Sequence, residues 1–213
     1  MISIEKFTFN PFQENTYVLY DETKECIIVD PGCYELHEQK ELVDFISEHD
    51  LKPVKLVSTH SHIDHVLGNK FVIDTFGVDL FVHKLDVTTL GAVPTYAANY
   101  GFMDYTPCEI PTNFLAEGEK LTFGNSDLDI LFVPGHAPGH IAFVAIEENF
   151  VVNGDCLFRD SVGRVDLPGG DAATLVKSIK TKLFALPDDC KVYCGHGPET
   201  TIGYEKVNNR FLK

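Results

Sequence analysis

Short apolar runs and strict apolar–polar alternation cover much of this chain, and longer stretches with a helical period separate them. The alternating and unbroken runs predict strands near residues 2–9, 16–20 and 26–29, followed by a helix near 36–49. A strand at 54–58 leads through a polar turn to a helix at 65–76, and a strand at 79–83 comes next. The second half repeats this order, with strands near 120–123, 127–133, 141–146 and 149–154, a helix at 172–185, a strand at 191–194 and a short helix from about 202. Asp171 is placed to cap the helix opening Ala172-Ala173-Thr174-Leu175, and Pro187 to stop it. Periodicity alone leaves the class at α/β or α+β. Residues 87–115 fit neither period: they are aromatic and carry little charge. They form either a surface connection whose aromatics fill a satellite core or a lid or wall beside a functional site.

The polar turn after the 54–58 strand concentrates the candidate chemistry. Thr59-His60-Ser61-His62-Ile63-Asp64-His65 places three imidazoles and a carboxylate in six residues. Neutral imidazole and carboxylate are the donors that Zn²⁺, Fe²⁺ or Mn²⁺ accept. His60 and His62 are two apart, so on a chain leaving a strand both rings project to one side and reach one ion. Asp64 and His65 follow the turn, within reach of a second ion. A helix-capping polar turn is the plainer alternative, but such turns seldom hold so many histidines. Further candidates stand where strands open into Gly-rich loops: His136 and His140 in Pro134-Gly135-His136-Ala137-Pro138-Gly139-His140, Asp155 after Gly154, and His196 after Gly195. Such loop positions on an α/β scaffold are where function concentrates.

His60-x-His62-x-Asp64-His65, then His136, Asp155 and His196, match in order and loop context the ligands of the metallo-β-lactamase-fold hydrolases. Within that superfamily the chain resembles the short bacterial members of the glyoxalase II (hydroxyacylglutathione hydrolase) branch. The likeness runs from Asn15-Thr16-Tyr17 and Val29-Asp30-Pro31-Gly32 through Gly154-Asp155-Cys156-Leu157-Phe158 to Gly195-His196-Gly197-Pro198-Glu199-Thr200-Thr201. It implies an α+β fold, the αβ/βα four-layer sandwich of two packed mixed sheets with helices on the outer faces. It also implies two divalent metal ions, zinc by expectation, with iron or manganese suited to the same donors. One ion falls to His60, His62 and His136 and the other to Asp64, His65 and His196, with Asp155 bridging. The likeness further implies a substrate-binding role for Arg164, whose alternative is a surface arginine paired with Asp160 or Asp166. Asp30 is expected to orient a metal-bound histidine. His140 is expected to be a hydrogen-bonded loop residue and Cys156 a packing residue.

Length and composition narrow the picture further. The 213 residues fit one domain spanning 1–213, without a linker or low-complexity run. A formal net charge of −15 argues against nucleic acid as a partner, because phosphate recognition needs clustered Lys and Arg. No apolar window approaches the ~20 residues of a membrane helix, and the first residues lack a signal-peptide layout, so no membrane partner and a cytoplasmic location are expected. Cys26, Cys33, Cys108, Cys156, Cys190 and Cys194 are scattered without metal-ribbon spacing and read as reduced thiols. Oligomeric state is left open.

The expected chemistry is hydrolysis of a small thioester, S-lactoylglutathione-like, by a hydroxide held between two metals, with Asp64 aiming it. Thiolate is a good leaving group and needs no strong general acid. The chain departs from the glyoxalase II pattern at Asp166, where a tyrosine is usual, and at Gly197-Pro198, and it lacks the C-terminal extension that completes a glutathione site. Two alternatives share the ligand set. One is an Fe(II) persulfide dioxygenase using His60, His136 and Asp155; the other is a lactone or other ester hydrolase of the same fold.

Overall fold

The computed structural model describes residues 1–213. In chain order the strands and helices are β1 (Ser3–Phe9), β2 (Glu14–Tyr20), β3 (Glu25–Val29), α1 (Leu36–Glu48), β4 (Lys52–Val57), α2 (Ile63–Val66), α3 (Asn69–Phe76), β5 (Leu80–Val82), α4 (Val87–Tyr96) and β6 (Asn113–Phe114). Then come β7 (Lys120–Phe123), β8 (Ser126–Phe132), β9 (Ile141–Ala145), β10 (Phe150–Gly154), β11 (Leu157–Phe158), β12 (Ser161–Val162), α5 (Ala172–Thr181), β13 (Lys191–Cys194), β14 (Thr200–Thr201) and α6 (Ile202–Asn208). Two six-stranded sheets result, ordered β1-β2-β3-β4-β5-β6 and β14-β13-β10-β9-β8-β7. Both are mixed: β1–β3 pair antiparallel and β3–β6 parallel, while β10 runs parallel to β13 and antiparallel to β9.

The central strands are buried on both faces, so their side chains divide by the two-residue period of the pleat. Tyr17 and Leu19 of β2 point into the space between the sheets, where they meet Ile141 and Phe143 of β9, while Val18 turns the other way onto the helices. On that outer side Leu42 and Ile46 of α1, Val72 of α3 and Leu90 and Val93 of α4 cover the first sheet. Ala142 and Val144 of β9 face outward beneath Leu175 and Ile179 of α5 and Ile202 of α6. Helix, sheet, sheet, helix is thus the order of layers, the four-layer α+β sandwich expected.

Differences from the predicted elements have local causes. The helix expected at 65–76 is two helices, because Gly68 leaves the helical ladder at its N–H, which donates to the Pro31 carbonyl at 2.8 Å. The helix at 172–185 ends at Thr181 and continues only as a 3-10 turn, Leu183–Ala185, ahead of Pro187. Its N-cap is as expected, the Asp171 carboxylate accepting from Thr174 N at 2.7 Å. The aperiodic 87–115 stretch contains a helix, α4. Leu90 and Val93 face the core while Thr88, Ala92 and Tyr96 face a cleft, so neither side is charged and no amphipathic period shows. All six cysteines are free, and Cys156 packs beneath α5 as expected. No helix is long and apolar enough to cross a membrane.

Candidate metal centre and its cleft

Five of the candidate ligands lie in loops just beyond a strand end, and the two sheets bring those loops together. His60 and His62 follow β4, His136 lies between β8 and β9, Asp155 follows β10, and His196 follows β13. Asp64 and His65 project from the short α2. Cross-sheet hydrogen bonds hold the two loop sets in register. Asn15 Nδ2 donates to the Cys194 and Gly197 carbonyls at 3.0 and 2.9 Å, Tyr17 Oη to Cys194 O at 2.6 Å, and Ile141 N to Thr59 O at 2.9 Å.

Three donor groups result, two built wholly from the candidate ligands and a third, Asp30, His60 and His65, that shares its histidines with them. His136 Nε2 lies 2.8 Å from His62 Nδ1 and 3.2 Å from His60 Nε2. The second cluster joins Asp64, His65 and His196, with His196 Nε2 at 3.1 Å and His65 Nε2 at 3.8 Å from Asp64 Oδ2. Asp155 stands between them: Oδ1 is 3.3 Å from His65 Nε2, and Oδ2 is 3.5 Å from both His136 Nε2 and His196 Nε2. All the residues singled out as ligands therefore meet, in the two sets expected. Gly195 makes the approach possible, since a Cβ there would fall 2.1 Å from Asp155 Oδ1 and 2.8 Å from His65 Cε1.

Outer hydrogen bonds assign which ring nitrogens are free. His136 Nδ1 donates to Arg164 O at 2.7 Å, and His65 Nδ1 to Asp30 Oδ2 at 3.1 Å. His196 Nδ1 faces the Phe12 and Gln13 carbonyls at 3.1 and 3.2 Å. His60 Nδ1 reaches Thr59 Oγ1 at 3.1 Å, and that hydroxyl donates onward to Asp30 Oδ2 at 2.5 Å. One nitrogen of each ring is committed as a donor, and the other, the Nε2 aimed inward, is the one that can meet a metal ion once it carries no proton. Asp30 thus has the orienting position expected of it, fixing His65 directly and His60 through Thr59. Glu14 was not legible as part of the site. It is fully buried, with Oε1 unpartnered and 3.7 Å from His65 Nδ1, and burial holds its carboxyl well above the usual range. A lone glutamate at the head of a strand carries no signal of such a role.

The donors present suit divalent cations. His65 Nε2 and Asp155 Oδ1 are buried without a hydrogen-bond partner, and one proton cannot satisfy three imidazole nitrogens converging as those of His60, His62 and His136 do. Protonation states separate the clusters. Burial, then the neighbouring His136, pushes His62 down to about 3, and burial with the surrounding histidines holds His60 well below the usual range. In the second cluster burial also opposes the charged histidine, but its hydrogen bonds to the Asp155 and Asp64 carboxylates outweigh it and push His196 up to about 10. His65 is raised by the same carboxylates against its burial, and Asp155 is held well below the carboxylate range, its burial overcome by His65 and His196. His60 and His62 of the first cluster are thus neutral, whereas the second is a set of imidazolium–carboxylate contacts that an ion would replace.

Above the donors opens a cleft of about 970 Å³, lined by His62, Asp64, His136, Asp155 and His196 on its floor. Residues 85–100 form one wall, so the aperiodic segment serves the site as well as the core, where Val93, Ala97 and Phe102 are buried. Arg164 lines the cleft and is paired at the same time. Its Nε and Nη2 donate to the two Asp166 oxygens at 2.7 Å each, and its side chain is 58% exposed. His140 differs from expectation. It is buried, both ring nitrogens lack partners, and its ring lies 4.7 Å from that of His60. The tight turn into β9 carries it beneath the metal centre, away from the loop surface where hydrogen-bond partners would be.

Residues 9–196 match the Metallo-beta-lactamase superfamily. The chain is 37% identical over 212 residues to hydroxyacylglutathione hydrolase GloC of Haemophilus influenzae, covering 99% of this chain and 98% of that protein. It is 33% identical to the probable metallo-hydrolase YqgX of Bacillus subtilis, over 95% of this chain and 93% of that one. Among solved structures, TTHA1623 in a di-iron-bound form is 36% identical with a TM-score of 0.87, over 98% of this chain and 100% of the other. The BLEG-1 B3 metallo-beta-lactamase is 32% identical with a TM-score of 0.88, over 99% and 100%. With both the sequence match and the fold in agreement, the chain belongs to the metallo-beta-lactamase superfamily.

Proposed function

We propose that this metallo-hydrolase cleaves a small thioester of the hydroxyacylglutathione kind at a centre of two divalent ions. The observation that carries the reading is the position of Asp155, which faces both donor clusters, Oδ1 at 3.3 Å from His65 and Oδ2 at 3.5 Å from both His136 and His196. His60, His62 and His136 would hold one ion, Asp64, His65 and His196 the other, and Asp155 would touch both. Bound there, divalent cations supply a water acidified towards neutral pH and a Lewis acid for the acyl carbonyl. The 37% identity to hydroxyacylglutathione hydrolase GloC over the full chain supports the thioester as substrate. Zinc is the proposed metal, and the di-iron form of TTHA1623 makes iron the competitor to test against.

The chain's own residues have separable tasks. Asp64 Oδ2 lies on the cleft floor beside His196, placed to accept a hydrogen bond from the attacking oxygen and aim it. Arg164 holds an anionic group on the thiol arm once it parts from Asp166. The departing thiolate, with a free pKa near ~8.5, leaves without a strong general acid. The test is thiol release from S-D-lactoylglutathione by metal-loaded protein, read against oxygen uptake with glutathione persulfide. Thioester turnover without oxygen uptake is expected; oxygen uptake without thioester turnover would overturn the reading in favour of an iron dioxygenase.

A further inference from the structure

The wall built from residues 85–100 has a chemistry that the metal centre does not explain. Leu85, Thr88, Ala92, Tyr96 and Tyr100 line the cleft there, and none of them is charged. Tyr96 and Tyr100 are one helical turn apart with ring centroids at 5.8 Å, and Phe12 extends the group, 6.0 Å from Tyr100. Burial, then the neighbouring Tyr100, pushes the Tyr96 phenol up to about 12, so the ring stays neutral at physiological pH. The aromatic edge is also solvent-facing at its outer end, Tyr100 being 47% exposed and Phe12 41%. An apolar surface of this kind beside a reactive centre is satisfied by an apolar group of the ligand.

Charge points to which arm of the substrate that is. Arg164 is the cation lining the cleft, and it stands on the loop after β12, together with Leu167 and Pro168. If the anionic thiol arm of the thioester runs to Arg164, the uncharged wall along α4 is left for the acyl arm. Ala92, Tyr96 and Tyr100 line that wall, and Asp64 lines the floor. A methyl-sized acyl group would leave those rings uncovered, whereas a planar ring would lie against Tyr96 in an offset or edge-on contact.

We propose that Tyr96 and Tyr100 are specificity-determining residues that select thioesters with an aromatic acyl group. The proposal rests on the thioester reading above and names the acyl half of its substrate. Tyr96 lies against the ring, and Tyr100 with Phe12 closes over its outer edge. Burying one aromatic ring against such a wall raises kcat/KM by about tenfold or more over an acyl group that ends in a methyl.

The experiment compares mandeloylglutathione with lactoylglutathione, which differ only in phenyl against methyl, on metal-loaded wild type, Tyr96→Ala, Tyr96→Phe and Tyr100→Ala. Wild type should favour the mandeloyl thioester by about tenfold or more in kcat/KM; Tyr96→Ala should bring the ratio close to one, and Tyr96→Phe should keep it because the ring remains. A second readout needs no turnover. The chain has no tryptophan and eight tyrosines, so its intrinsic emission is tyrosine emission, and S-(2-phenylethyl)glutathione should perturb it and bind about tenfold more tightly than S-propylglutathione. Equal binding of the two thioethers by wild type, or a mandeloyl preference untouched by both alanine substitutions, would overturn the proposal. Failure of both thioesters to react, with the phenylethyl preference intact and dependent on Tyr96, would instead contradict the thioester reading and leave the apolar wall standing.

Discussion

Asp155 has no neighbour able to replace it, because its two oxygens serve both donor clusters and its own loop supplies no other carboxylate at that point. Asp155→Ala should abolish thioester hydrolysis while leaving the fold intact, checked by circular dichroism and thiol release; substantial turnover would place the bridge elsewhere. The protonation states give a second prediction. His196, raised from 6.5 to about 10, is imidazolium at pH 7 in metal-free protein, whereas His62, lowered to about 3, is neutral. Because its folded value is raised, the His196 contact stabilises the metal-free fold fully below about pH 6.5, and that contribution fades as pH rises towards 10. Zinc entering the Asp64, His65 and His196 cluster should therefore displace ring protons at pH 7, and release more protons than zinc entering the cluster of His60 and His62, whose rings are already neutral. Calorimetry in buffers of different ionisation enthalpy measures this, and equal proton counts for the two events would contradict the assignment. Arg164 gives a third. Its bidentate pairing with Asp166 competes with any substrate anion, so Arg164→Ala should raise KM for anionic thioesters by less than about tenfold with kcat nearly unchanged. Asp166→Asn should lower KM by freeing the guanidinium, and an unaltered KM in both variants would make Arg164 a surface residue.

At the scale of elements, α4 is what separates this cleft from a bare metal centre. Its N-terminal end is pinned where Asp86, buried, accepts from Gly139 N at 3.3 Å, so the wall and the His136–His140 loop meet at one point. A Cβ on Gly139 would lie 2.5 Å from both Asp86 N and Asp86 Cβ, and backbone cannot give way as a flexible side chain can. Gly139→Ala should cost about 1–3 kcal/mol of stability and change KM, with metal content retained because α4 yields and the other six proposed ligands lie outside the His136–His140 loop. Chemical denaturation and metal analysis together check this; loss of metal with unchanged stability would show that the contact serves the loop and not the helix. The periodic elements of the chain were legible from their own residues, β9 and α5 among them, since each has two chemically different sides or a clean apolar run. The strand ends carrying His60, His136, Asp155 and His196 were legible for the same reason. α4 was not, because a helix between a core and an apolar cleft lacks the polar face by which helices are read.

For the whole molecule, the centre exists only where two sheets close on each other. Asn15 and Tyr17 in the second strand hydrogen-bond to the carbonyls around His196 across nearly the full length of the chain. No local pattern encodes such a contact. The sequence motif identified the donors and their order, and the family resemblance their grouping; the distances that let Asp155 face both groups, the burial of Glu14 and the sinking of His140 beneath His60 are properties of the closed sandwich. The central claim is that this sandwich holds two divalent ions across Asp155 for hydrolysis. The most direct measurement is plasma emission analysis of protein purified without chelator, normalised to chain concentration. Two ions per chain are predicted, with Asp155→Ala falling below that; a single iron per chain, unaffected by supplying zinc, would contradict the account.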